Sequence, residues 1–166
     1  MAITASDIKV YYSGGPNAVT DNTDSIGGAP STTQVGSSGL HNLWDRVVGD
    51  ESSAGDIEYR IIYIKNEHTS LTGTNIRAFF HTNESSFLTI GVNQAKNTNA
   101  PALTNENTAP SGVTFSAAAT KANAVNIGDL APNDYRALYI KRTIAAGTAA
   151  DDQVDWNIQI AVDTSA

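Results

Sequence analysis

The segment Glu58-Tyr59-Arg60-Ile61-Ile62-Tyr63-Ile64-Lys65 returns later in the chain as Asp134-Tyr135-Arg136-Ala137-Leu138-Tyr139-Ile140-Lys141. Aromatic and β-branched residues dominate these segments, and Gly and Pro occur only outside them, so both read as β-strands. Side chains alternate between the faces of a strand. Tyr59, Ile61 and Tyr63 therefore share one side, Arg60, Ile62 and Ile64 the other, and the second copy repeats the arrangement. A strand that is apolar on both sides belongs inside a sheet, and the echo puts 57–66 and 134–144 at equivalent central places. The tyrosine side is read as core with hydroxyls reaching its rim; the alternative is a Tyr/Arg face buried only against another subunit. Arg60 and Arg136 are expected in comparable environments, each charge paired or solvated at the edge of the core.

Further strands are expected at 8–12, 75–81, 86–92, 113–117, 123–127 and 154–162, the last with Trp156, Ile158, Ile160 and Val162 in alternation. Leu40, Leu43, Trp44 and Val47 fall at i, i+3, i+4 and i+7, which predicts one short helix near 39–48. That helix would serve as a plug closing one end of the β core. Trp44 as a ligand platform is the alternative, but no polar constellation surrounds it in sequence. Two polar tracts, 13–39 and 93–112, are poor in apolar residues and read as extended arms or long loops. The fold class is all-β: a single-domain β-sandwich over 1–166, immunoglobulin-like or jelly-roll-like.

Composition narrows function by exclusion. The chain has no Cys, which removes disulfides, thiolate metal sites and Cys nucleophiles. Ten basic against seventeen acidic residues leave a net charge of −7, and with no Lys/Arg cluster nucleic acid is not an expected partner. The N-terminal Met1-Ala2-Ile3-Thr4-Ala5-Ser6-Asp7-Ile8-Lys9 has neither the basic nor the apolar region of a secretory signal, so synthesis in the cytoplasm is expected. No apolar run approaches the roughly 20 residues that span a bilayer, and no membrane is expected.

Candidate chemical motifs are fragmentary. Asp21-Asn22-Thr23-Asp24 and the set Asp50, Glu51 and Asp56 resemble pieces of calcium loops without the ligand spacing, and they read, like Asp151-Asp152, as solvated turns. His41, His68 and His81 stand in unrelated contexts. Gly36-Ser37-Ser38-Gly39 lacks the Lys of a phosphate loop, and Asn83-Glu84-Ser85 matches a glycosylation triplet that has no signal peptide to give it meaning. Neither a nucleophile elbow nor paired carboxylates around an aromatic cleft can be identified. The expectation is a protein that is not an enzyme, with no catalytic residues, no cofactor site and no metal site.

Five segments taken together carry a resemblance: residues 1–9, Gly39-Leu40-His41-Asn42-Leu43-Trp44-Asp45, Gly55 to Asn66, Ala109-Pro110-Ser111-Gly112-Val113-Thr114-Phe115-Ser116, and Leu130-Ala131-Pro132 through Arg142. The chain, from residue 1 to about 147, resembles a family of small proteins encoded among tailed-phage and prophage virion genes. The resemblance implies a structural component of the virion, most similar in kind to head decoration or cement proteins. Its implied partners are the major capsid protein and neighbouring copies of itself. A tail, baseplate or fibre-attached accessory protein is the second reading. A carbohydrate-binding module using Trp44 or Trp156 as a sugar platform is the third.

Overall fold

The computed structural model describes residues 3–15, 24–36, 42–83, 87–149 and 156–164. Among these residues eight strands form two antiparallel sheets: β1 (Ile8–Ser13), β2 (Pro30–Gln34), β3 (Asp56–Asn66), β4 (Gly73–Asn83), β5 (Leu88–Gly91), β6 (Val125–Leu130), β7 (Tyr135–Ile144) and β8 (Trp156–Thr164). The larger sheet runs β2-β1-β3-β7-β5 and the smaller β6-β4-β8. The order β1-β3-β7-β5 is that of strands A-B-E-D in an immunoglobulin sheet, and β4 pairs with β8 as C pairs with F. Here β6 sits on the outer edge of β4, where a constant-type domain has no strand.

The echoed segments are neighbours. β3 and β7 pair antiparallel with Ile62 opposite Leu138, so that Arg60 faces Ile140 and Arg136 faces Ile64. Each arginine thus meets the isoleucine of the other copy, and the repeat is a local two-fold ribbon at the centre of the sheet. Arg60 and Arg136 lie on the same, inner face at opposite ends. Between them, Ile62, Ile64, Leu138 and Ile140 pack against Ile76, Ala78, Phe80, Ile127 and Leu130 of the smaller sheet to make the main core. Aliphatic burial on this scale, at roughly 25 cal/mol per Å², is what holds the sheets face to face.

The expected helix near 39–48 is not formed over its described part, 42–48; the only α-helix among the described residues is α1, Gly49–Ala54. Leu43, Trp44 and Val47 are buried as their spacing required, but on an irregular strap. A helix there would need its carbonyls for i+4 bonds, and the sheets take them instead. Tyr12 OH donates to Asn42 O at 2.6 Å, Arg60 Nε to Leu43 O at 3.1 Å and Arg142 Nη1 to Asp45 O at 2.7 Å. These contacts override a weak local propensity. α1 starts where Glu51 Oε2 accepts the Val48 N–H at 3.0 Å, and it ends at Gly55, φ +77°.

The tract 13–39 also differs from an arm, since β2 lies inside it as an edge strand paired to β1. Pro30-Ser31-Thr32-Thr33-Gln34 has no hydrophobic alternation to reveal this. No strand forms at 113–117, where a single bridge joins Ser116 to Ile90. The adjoining segment crosses to the other sheet, Phe80 N–H donating to Ala118 O at 2.9 Å.

Candidate functional site

The outward face of β3 and β7 carries the tyrosines, and the tract 93–116 covers it. Tyr11, Ile61, Tyr63, Ala137 and Tyr139 form a second apolar cluster with Ala100, against which Leu103, Val113, Phe115 and Tyr135 pack. Tyr63 and Tyr135 meet edge to face at 5.4 Å, and Tyr59 lies 5.8 Å from Phe115. The hydroxyls are used within the chain. Tyr63 OH donates to Gly28 O and accepts from Ala100 N at 2.7 Å; Tyr135 OH donates to Asn99 Oδ1 at 2.8 Å; Tyr11 OH donates to Glu67 Oε1 at 2.5 Å. Burial pushes the Tyr63 and Tyr11 phenols up to about 12, so both remain protonated donors. The tyrosine face is a second core layer closed by the chain's own loop.

Backbone bonding explains why the described parts of the two polar tracts lie along β3. β1 accompanies β3 only as far as Tyr12 opposite Ile62, which leaves the first half of β3 with an unpaired edge. Ile61 N–H donates to Ser25 O at 2.7 Å, and Ser25 Oγ donates to Ile61 O at 2.6 Å. Further along, Tyr59 N–H donates to Glu106 O at 2.7 Å, and Asn107 Nδ2 to Ile57 O at 3.0 Å. An interior strand cannot leave such groups unbonded without a cost of about 1–3 kcal/mol each. The two tracts also touch one another: a Cβ at Gly27 would lie 2.4 Å from Pro101 O. Only glycine fits there.

The inner face at the α1 end holds a network of ionisable groups. Arg60 is wholly buried, Glu58 is 2% and Arg142 4% exposed. Arg142 binds Glu58 through Nε and Nη2 and reaches Asp45 Oδ1 at 2.9 Å; Arg60 Nη2 reaches Glu106 Oε2 at 2.6 Å and Glu58 Oε1 at 3.7 Å. Both guanidiniums lie against Trp44, at 4.8 and 5.1 Å from the ring centre. Burial pushes the Glu58 carboxyl up to about 7, with Arg142 and then Arg60 pulling against it. The network fastens three pieces outside the sheets, the 42–48 strap, α1 and the 93–116 cover, to the two central strands. Arg136, at the far end of the ribbon, instead donates to Gln94 O at 3.0 Å and Ile127 O at 2.6 Å. Both echo arginines bond main-chain carbonyls, but the environments expected to be comparable differ: Arg60 is wholly buried among carboxylates, whereas Arg136 is half-buried.

Oxygens of Asp45, Glu51 and Glu58 lie within 4.8 Å of one another, a spacing compatible with a cation. Arg142 Nη2 already lies within 4.0 Å of all three. The place of the ion is taken by a guanidinium. Of the calcium-like fragments, Glu51 caps α1, while Asp56 Oδ1 accepts from Ile57 N at 2.8 Å and Asn107 Nδ2 at 2.9 Å. His68 Nδ1 accepts the N–H groups of Ser70 and Leu71 in the β3–β4 turn, and His81 is exposed on β4. Asp21, Asn22, Thr23, Ser37, Ser38, Gly39, Leu40, His41, Glu84, Ser85, Asp151 and Asp152, and the side chain of Trp156, lie outside the described residues. Trp44 is buried and offers no face to a sugar. The charged network is not legible in the sequence, because Glu58 and Arg142 become partners only through the β3–β7 register; their alternation with apolar core residues is the one local signal for it.

Compared with known protein families, with curated proteins and with solved structures, the chain has no match.

Proposed function

We propose that the protein is a phage virion structural component that attaches to the outside of an assembled head as a decoration or cement protein. The reading is carried by the sequence resemblance of the five segments quoted above, taken together. Its partners on this reading are the major capsid protein and neighbouring copies of the same chain, its location is the virion, and it performs no catalysis. Supporting this, Glu58, Arg60, Arg142 and Tyr63 bond within the chain and Trp44 is buried beneath the two guanidiniums, so the parts that can meet a partner are outer surfaces. A pre-organised body of this kind loses little entropy on docking, and weak contacts repeated over a shell gain by avidity.

The test is to mix purified protein with particles lacking it, image them by cryo-electron microscopy and count bound copies. Occupancy at every equivalent position of the shell is the expected result. A small ring of copies at the tail would replace the reading with that of a tail accessory protein. Binding to a glycan array without binding to particles would overturn both.

A further inference from the structure

We propose that β8 is a self-association edge, where a second copy of this chain adds its own β8 antiparallel across a two-fold axis. Sheets discourage further pairing with short edges, proline, irregular geometry or a covering segment. Three of the four strand edges carry such a device. β2 opens on Pro30; the four-residue β5 is bridged by Ser116; β6 holds Gly128 at φ +89° and its ladder with β4 is irregular. β8 carries none among the described residues. It is nine residues long and lacks Pro, Lys and Arg. Its ladder is irregular in two places, but both extra residues belong to β4, between Thr74 and Arg77 and between Phe80 and Thr82, so β8 itself is regular. The 3-10 turn Ala5–Asp7 lies against β8, yet its backbone bonds go to Thr4 and Glu67. Ile158, Ile160 and Val162 pack on the core while remaining partly exposed, which leaves apolar area to bury at this edge.

A second copy fits because β8 complements itself. Paired antiparallel about Ile160, Ile158 meets Val162 on the inner face, while Gln159 meets Ala161 and Asn157 meets Asp163 on the outer face. Asp163, the strand's single charge, then faces a neutral amide donor and not its own copy. Such a contact closes on itself, so growth stops at the dimer. The proposal shares with the functional reading only the presence of neighbouring copies, and it is tested on the purified chain without particles.

Sedimentation velocity over a wide concentration range, alongside thermal melting, would compare the natural chain with two double variants. Gln159→Lys with Ala161→Lys sets like charges opposite each other, whereas Gln159→Glu with Ala161→Lys sets opposite charges there. The natural chain and the Glu/Lys variant should dimerise, and the Lys/Lys variant should do so about tenfold or more weakly, with melting temperatures that agree at concentrations low enough for every chain to be monomeric. Amide exchange across 157–163 in the natural chain should slow as concentration rises, a readout independent of any substitution. A natural chain that stays monomeric, a Lys/Lys dimer as tight as the natural one, or exchange independent of concentration would overturn the proposal. Dimerisation lost equally in both variants would overturn the register about Ile160.

Discussion

Glu58 is the residue on which the charged end of the sandwich turns. Its folded-state value of about 7 lies above the ordinary 4.5, so between those values the folded chain holds a proton that the unfolded chain does not. Stability should therefore rise as pH falls from about 8 to about 5. Glu67 and Asp134 act in the opposite sense: hydrogen bonds from Tyr11 and from Asn97, respectively, hold their carboxyls below the usual range. What they contribute is present above their unfolded values and is lost as pH falls through the folded ones, in the acid limb below about 4. Urea midpoints against pH should trace a dome, and Glu58→Gln should flatten its neutral limb while leaving the acid limb in place. Removing the cation has a larger effect. Arg142→Ala leaves Glu58 buried beside Asp45 with the more distant Arg60 as its remaining cation, and the expected loss is about 3–5 kcal/mol in an unfolding titration.

At the scale of elements, the cover 93–116 does the work of strands without being one. It supplies carbonyl and amide groups to the open edge of β3, buries Ala100 and Leu103 on the tyrosines and brings Glu106 to Arg60. Replacing 95–108 with a short Gly/Ser linker should therefore bare Tyr63 and Tyr139, lower the melting temperature and produce binding of a hydrophobic dye at neutral pH. A cover that is merely an appendage would leave melting and dye binding unchanged. The central ribbon offers a reference for this effect: Leu138→Ala, wholly inside the main core, should cost about 2–5 kcal/mol without exposing the outer face.

For the whole molecule, two apolar layers lie on the two faces of one central sheet, and a cationic side chain stands where a metal would otherwise fit between the carboxylates. Folding should consequently be independent of divalent ions. Dialysis against a chelator followed by thermal melting is expected to leave the transition unmoved; a fall restored by calcium would show that Asp45, Glu51 and Glu58 hold an ion after all. The exposed large apolar side chains among the described residues, Val48 and Ile57, both belong to the α1 end, which also presents Asp45, Asp50 and Glu106. The α1 end and the β8 edge are thus two chemically distinct parts of the outer surface.

Local sequence was enough to reveal the strands whose residues carry their own signal. β3 and β7 are dense in β-branched and aromatic side chains, β8 alternates, and the echo marked a shared central position because two similar strands bury the same pattern from either side of a local axis. It also determined that Leu43, Trp44 and Val47 are buried, since their apolar area must leave water whatever backbone carries them. The conformation of that strap was decided elsewhere in the chain, by Tyr12, Arg60 and Arg142, which take the carbonyls a helix needs. The same holds for β2, for the order of Ser25 and Glu106 along β3, and for the meeting of Glu58 with Arg142. Each depends on main-chain hydrogen bonds or charge pairs between residues far apart in sequence, which side-chain periodicity does not encode. Such contacts come into being only when the sheets close.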